Sequence, residues 1–317
     1  MYFFTENPSI AAYRVESKPA EHTIAIDGVR VRYLKAGDGP ALLLLHGVGD
    51  SALDWQWLMP IVANRYTLYA PDLPGTIALQ GPDADYSAER TARFAMAFLA
   101  KLDVQRVILV GNSFGGLAAL HMAMKFPERV TALVLIASAG LGKEINPLMT
   151  MMSLPIFSGP ALLWAKSIPG AIQRAVLRSW ALFARPYRAP WEWLREQYQL
   201  ALRPSFLQTT QRVAQVHLDL AGQRQVLLDV LPDLKIPILI VWGGDDRLVP
   251  VEQAHRAVER IADGRLRIIP DCGHLPHIEQ SGQLAADLNR FVSDRVNFED
   301  RKIAYPCPST RSMATSW

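Results

Sequence analysis

The chain has 317 residues, half of them apolar and a fifth charged, which suits an ordinary folded protein of one large domain or two smaller ones. A formal net charge of +3 is too small for that length to imply nucleic acid or an anionic membrane as a partner. Cys272 and Cys307 form neither a disulfide framework nor a metal-ligand spacing; no apolar run reaches the ~18 residues of a membrane span, and the N-terminus lacks the basic and apolar regions of a secretory signal, so a cytoplasmic protein with free thiols and no cofactor or metal is expected.

Residues 1–20, with Pro8 and Pro19, read as a loosely structured arm. Two β-rich runs at 22–26 and 29–34 flank Asp27-Gly28, a hairpin signal. The run Ala41-Leu42-Leu43-Leu44-Leu45 ends in His46-Gly47-Val48-Gly49 and reads as a strand buried on both faces. A further strand is predicted at 66–70, ending near Asp72-Leu73-Pro74-Gly75. Residues 89–102 have helical spacing, with Phe94, Ala97, Phe98 and Leu102 on one face.

The apolar run 107–110 then stops at Gly111-Asn112-Ser113-Phe114-Gly115-Gly116, and good helix formers follow as far as Phe126, before Pro127. This is G-x-S-x-G in a strand–turn–helix context. A residue on so tight a turn brings the positions two before and two after it against its own backbone, where a Cβ would collide. Ser113 is therefore expected in a strained conformation with its hydroxyl exposed. The N–H of Phe114 is expected at a helix N-terminus, where developing negative charge is stabilised. The next strand is predicted at 131–137. Strands alternating with helices indicate a parallel sheet with right-handed crossovers.

Residues 141–235 hold no convincing strand. Pro155, Pro160, Pro169, Pro186, Pro190, Pro204 and Pro232 divide them into short helical pieces carrying Trp164, Trp180, Trp191 and Trp193. They read as a helical cap inserted into one core, 1–140 plus 236–299, and their Trp and Leu residues read as packing. The alternation resumes with a strand at 237–242, a helix at 251–261, a strand at 266–269 and a helix at 281–295. Residues 300–317 lack periodicity and read as a disordered tail. The fold class is α/β: a doubly wound, mostly parallel, eight-stranded sheet with an inserted helical cap.

Three reactive groups follow predicted strands: Ser113, the pair Asp245 and Asp246, and His274. In open parallel sheets, functional loops gather at the carboxyl ends of the strands. A serine hydroxyl needs a base to become a nucleophile; a histidine near neutral pKa supplies it, and a buried carboxylate fixes the imidazole tautomer.

Taken together, His46-Gly47-Val48-Gly49, Asp72-Leu73-Pro74-Gly75, the Ser113 pentapeptide, Trp242-Gly243-Gly244-Asp245-Asp246-Arg247-Leu248-Val249-Pro250 and Cys272-Gly273-His274 resemble the α/β-hydrolase superfamily, over residues 24–295 apart from the cap. The resemblance implies a triad of Ser113, Asp246 and His274. The acid is placed at Asp246 by its position between Trp242 and Pro250, with Asp245 as a turn residue. It further implies an oxyanion hole from the backbone N–H groups of Val48 and Phe114, a structural His46, and His274 rather than His277 as base. Gly47, Asn112 and Leu275 are candidate substrate contacts. The sequence departs from the family at Thr76-Ile77-Ala78-Leu79, where relatives carry an aromatic, a glycine and a serine.

A serine at this turn implies acyl chemistry on a small or medium apolar compound, with hydrolysis of a carboxylic ester as the expected reaction. Asn112 resembles the meta-cleavage-product hydrolases, which cut carbon–carbon bonds, and keeps that alternative open; those enzymes grip a substrate carboxylate with a cap arginine, for which Arg174, Arg178, Arg185 and Arg188 are candidates. Leu275, where such enzymes carry tryptophan, argues the other way. A non-catalytic receptor on the same fold is the alternative from another class.

Overall fold

The computed structural model describes residues 19–76, 85–151, 154, 160–203 and 205–296. The predicted arm before residue 19, the divergent 77–79 stretch and the 300–317 tail, with Cys307, lie outside these residues.

An eight-stranded sheet forms the centre. The chain opens with β1 (Ala20–Ile26) and β2 (Val29–Ala36), an antiparallel hairpin in which Ile26 pairs with Val29. Its turn residues, Asp27 and Gly28, have φ of 49° and 78°, as a two-residue hairpin with the right twist requires. Then come β3 (Ala41–Leu45), α1 (Met59–Val62), β4 (Thr67–Pro71), α2 (Ala88–Lys101), β5 (Val107–Asn112), α3 (Phe114–Lys125) and β6 (Val130–Ile136). The helical insert follows: α4 (Pro147–Met151), α5 (Pro160–Ala165), α6 (Ile168–Leu182), α7 (Trp191–Leu202), α8 (Phe206–His217), and a ribbon of β7 (Leu218–Asp219) and β8 (Gly222–Gln223). The core closes with β9 (Ile238–Gly243), α9 (Glu252–Val258), β10 (Gly264–Ile269), α10 (Pro276–Glu279) and α11 (Ser281–Arg295).

The strand order is β1-β2-β4-β3-β5-β6-β9-β10. The pairs from β4 to β10 are parallel, and β2 pairs antiparallel with both β1 and β4. The central strands are buried along nearly their whole length and mostly apolar, because each has helices on both sides. Leu43 and Leu45 of β3 join one core cluster with Phe94 and Phe98 of α2; Leu42 and Leu44 join the other with Leu284 and Leu288 of α11. A strand with side chains alternating between two buried faces leaves no polar position to read.

The insert departs from expectation in two respects. It holds the ribbon, too short for any periodicity, in which Leu218 pairs with Gln223 and the Gln223 N–H donates to Lys143 O at 2.9 Å. Its tryptophans are also not uniformly packing residues. Trp193 is buried against Phe183, ring centroids 4.9 Å apart, whereas Trp164, Trp180 and Trp191 are exposed.

Candidate active site

Ser113 sits between β5 and α3 with φ 53° and ψ −118°, outside the regions an L-residue ordinarily occupies. Its own backbone pins it there: its N–H donates to Ile136 O at 3.0 Å, and its carbonyl accepts from Gly116 at 2.9 Å and Ala139 at 3.0 Å. The flanking glycines are required by contact. A Cβ on Gly111 would lie 2.4 Å from Gly115 O, and one on Gly115 would lie 2.1 Å from Leu45 O. Phe114 is the first residue of α3, so its N–H lacks an intrahelical acceptor.

His274 and Asp246 reach the same end of the sheet from β10 and β9. His274 Nδ1 and Asp246 Oδ2 are 2.8 Å apart, and the Asp246 side chain is wholly buried. Its other oxygen accepts from the N–H groups of Leu248 at 2.8 Å and Val249 at 3.0 Å. With Asp246 an acceptor on every side, His274 Nδ1 carries the hydrogen, leaving Nε2 as a lone-pair site. That Nε2 is buried without a hydrogen-bond partner among the described residues. Asp245 is exposed and serves the turn through its N–H to Cys272 O at 2.9 Å.

Ser113, Phe114, Val48 and His274 line one cavity of about 360 Å³ between the sheet and the insert. Its walls are mainly apolar, with Leu117, Leu182, Leu207 and Val213 among them, and Arg174, Arg178 and His217 are its basic lining. Gly47 lies close to the elbow, since a Cβ there would stand 3.4 Å from Ser113 Cβ. None of the three expected substrate contacts, Gly47, Asn112 and Leu275, lines this cavity. Asn112 is fully buried, and its amide donates to Ile136 O and His274 O, each at 3.1 Å, so it clamps the serine turn to the histidine loop; it does not line the cavity. Leu275 is fully buried in the core, also outside the cavity lining.

Three other buried histidines lie in this region. His46 Nδ1 lies 2.8 Å from Gly47 O, and Nε2 accepts from the Leu73 N–H at 2.9 Å. Burial, the largest cause, lowers its pKa, and the two bonds specify the neutral ring. His277 is fully buried, 4.4 Å centroid to centroid from Trp55, and burial first, then His274 and His46, take its pKa to about 3. His217, one more histidine among several in the sequence, reaches the cavity wall with its Nε2 3.1 Å from Tyr86 O.

Several contributors had no sequence signal. Leu182 O, from the end of α6, accepts the His274 N–H at 2.7 Å. Glu279 accepts from Gly273 and Ala184, each at 2.8 Å, tying the histidine loop to the insert; burial, its largest influence, raises its carboxyl to about 7 while these N–H groups pull the other way. Beneath the cavity, Arg178 donates to Asp50 at 2.5 Å, Gln197 donates to Asp50 at 3.2 Å, and Ser51 donates to Glu196. Burial, then the charges of Asp50 and Glu196, push the Asp54 carboxyl well up. Arg174 forms no ion pair among the described residues and bonds instead to Gln197 and to Gly49 O at 3.4 Å. Burial, and then Arg178, lower its pKa to about 9, which leaves it a cation at neutral pH.

The chain is 33% identical over 273 residues to an uncharacterized protein of Mycobacterium tuberculosis (strain ATCC 25618 / H37Rv), covering 84% of this chain and 79% of that one. It is 30% identical over 296 residues to the 2-hydroxy-6-oxo-6-(2'-aminophenyl)hexa-2,4-dienoic acid hydrolase of Metapseudomonas resinovorans, with 89% and 94% covered. Among solved structures it superimposes on a membrane phospholipase A, a bacterial virulence factor, with a TM-score of 0.71 at 25% identity, covering 87% of this chain and 86% of that one. Residues 40–281 match the family described as alpha/beta hydrolase fold, and a match of that extent, on this sheet order, places the chain in the α/β-hydrolase family.

Proposed function

We propose that the protein is a serine hydrolase that cleaves a small to medium apolar acyl compound of the carboxylic ester type, with Ser113 as nucleophile, His274 as base and Asp246 as the acid behind it. The observation that carries this reading is the His274–Asp246 contact of 2.8 Å, whose free Nε2 shares an apolar cavity with the strained Ser113. In the reaction, Ser113 Oγ adds to the ester carbonyl as its proton passes to His274 Nε2. The oxyanion is held by the N–H groups of Val48 and Phe114. Collapse expels the alcohol, which takes the proton from His274, and leaves an acyl-Ser113. Water, deprotonated by the same imidazole, releases the acid. Residues 141–235 act as a cap that excludes bulk water and shapes the acyl pocket.

One observation favours a second reading. A half-buried Arg174 without a carboxylate partner among the described residues, in the wall of the cavity, suits an anionic substrate, and the Metapseudomonas relative is named for hydrolysis of a dienoic acid. Against it stands the apolar lining of the rest of the pocket, which suits a neutral chain. The discriminating test is kcat/KM on p-nitrophenyl butyrate against a 2-hydroxy-6-oxo-dienoate. Preference for the ester is expected; a preference of about 100-fold for the dienoate, worth about 2.7 kcal/mol in the transition state, would replace the ester reading with the carbon–carbon one.

A further inference from the structure

The outer face of α6 is apolar where a surface helix ordinarily is polar. Ile168, Ile172, Val176 and Trp180, each four residues after the last, are 61, 52, 46 and 62% exposed. Leu163 and Trp164 of α5 extend the patch at 72 and 56% exposed. Scattered exposed apolar residues need no explanation; a continuous row on one helix face does.

The charges around this face are mostly of one sign. From residue 145 to residue 191 the sequence contains no Asp or Glu, while Lys166, Arg174, Arg178, Arg185 and Arg188 all fall within it. Arg185 and Arg188 are exposed, and so is Arg247, which donates to Trp180 O at 3.3 Å. Of these cations, Arg185 is paired with Asp271 at 2.7 Å and Arg178 with Asp50 at 2.5 Å, and Glu192 follows on the next helix. Trp164, Trp180, Tyr187 and Trp191, all exposed, have the amphipathic rings that settle at the boundary between headgroups and acyl chains. The patch is also continuous with the cavity: the exposed Leu148, Trp164 and Leu177 are lining residues of the chamber that holds Ser113.

We propose that the α5–α6 face docks peripherally on an anionic membrane surface, and that an ester dissolved in that membrane enters the cavity past Leu148, Trp164 and Leu177. The second half rests on the ester reading above; the docking does not. An apolar face whose margin carries more cations than acids is complementary to a bilayer carrying anionic lipid. It is poorly suited to a second copy of itself, because a two-fold contact would set the same cations against each other. No helix among the described residues is long and apolar enough to cross a membrane, so the contact lies at the surface.

The test begins with co-sedimentation of Ser113→Ala, which does not consume lipid, with vesicles of phosphatidylcholine containing about 30% phosphatidylglycerol. Binding is expected, weaker to pure phosphatidylcholine and weaker as salt rises from about 0.05 M to about 0.5 M. Adding Ile172→Asp and Val176→Asp, neither of which lines the cavity, is expected to lower binding about tenfold or more. In the active background the same pair should leave p-nitrophenyl butyrate hydrolysis unchanged and slow hydrolysis of vesicle-borne p-nitrophenyl palmitate. Unchanged butyrate turnover also shows that the variant folds. Absence of vesicle binding, binding undiminished by the two aspartates, or a dimer in analytical ultracentrifugation that the two aspartates dissolve would each overturn the docking. Vesicle binding with palmitate and butyrate turnover equally affected would overturn delivery from the membrane. If no ester is hydrolysed at all, the ester reading fails while the binding result still stands.

Discussion

Asp246 accepts two backbone N–H groups on one oxygen and faces His274 Nδ1 with the other, so no orientation of an amide satisfies all three. Asp246→Asn is therefore expected to lower kcat on p-nitrophenyl butyrate by roughly 10³- to 10⁴-fold, through the wrong imidazole tautomer. Asp245→Asn changes an exposed turn residue and is expected to stay within about threefold. A comparable loss at both positions would undo the assignment. Arg174 separates the two substrate readings at the same scale. Arg174→Gln should cost less than about tenfold in kcat/KM on a neutral ester and on the order of 100-fold on a dienoate, because only the dienoate places a carboxylate beside the guanidinium. At this scale the sequence was most legible where spacing constrains geometry. The glycines around Ser113 marked a turn too tight for side chains, whereas the choice of Asp246 over Asp245 came from the resemblance to the α/β-hydrolases; it is Asp246 that faces His274. Asn112 and Leu275 were misassigned because position beside a reactive residue does not say which way a side chain points. Asn112 points into the backbone of two other strands' loops, and Leu275 into the core.

At the scale of elements, α6 and the loop after it hold the histidine loop: Leu182 O takes the His274 N–H, and Glu279 spans from Gly273 to Ala184. Glu279→Ala leaves two buried N–H groups without acceptors, a cost on the order of 2 kcal/mol. A lower Tm together with a lower kcat at unchanged butyrate KM is expected, since the base is loosened while the pocket keeps its lining. A fall in Tm with kcat intact would confine Glu279 to holding the fold. Two carboxyls at this boundary, Glu279 at about 7 and Glu196, are raised, both chiefly by burial. A carboxyl whose folded pKa exceeds its unfolded value binds its proton more tightly in the native state. Its contribution to stability is complete below the unfolded value, about 4.5, and is lost as pH rises through about 7. Tm should thus fall between about pH 5 and pH 8, and Glu196→Gln, whose amide oxygen still accepts from Ser51, should flatten part of that fall. A Tm that rises over the same interval would contradict it. The four-residue α1 and α10 are too short to show a period, whereas the eight strands of the main sheet and helices α2, α3, α9 and α11 were legible from apolar runs, their spacing and their stops. These contacts of the insert were not, because they join backbone groups about 90 residues apart, such as those of Leu182 and His274, and carry no residue-type signature.

For the whole molecule, a net charge of +3 conceals its arrangement. Cations and acids nearly cancel along the chain, yet the insert holds 47 consecutive residues, 145–191, without an acid. The total is too small to imply an anionic surface as partner; the distribution on the fold points to one at a single face. The tryptophans were misjudged for a related reason. Composition places Trp in cores, but three successive helices of the insert leave Trp164, Trp180 and Trp191 outward and bury Trp193 alone of that group. These surface features surround a single proposed function, covalent catalysis by Ser113 with His274 as its base. The most direct measurement is peptide mapping by mass spectrometry after treatment with diethyl p-nitrophenyl phosphate, which phosphorylates an activated serine and cannot be turned over like an ester. One diethylphosphoryl group on Ser113 is expected, absent from Ser113→Ala and formed at least about 10³-fold more slowly in His274→Ala. No adduct, an adduct on another residue, or labelling of Ser113 at an undiminished rate in His274→Ala would contradict the account.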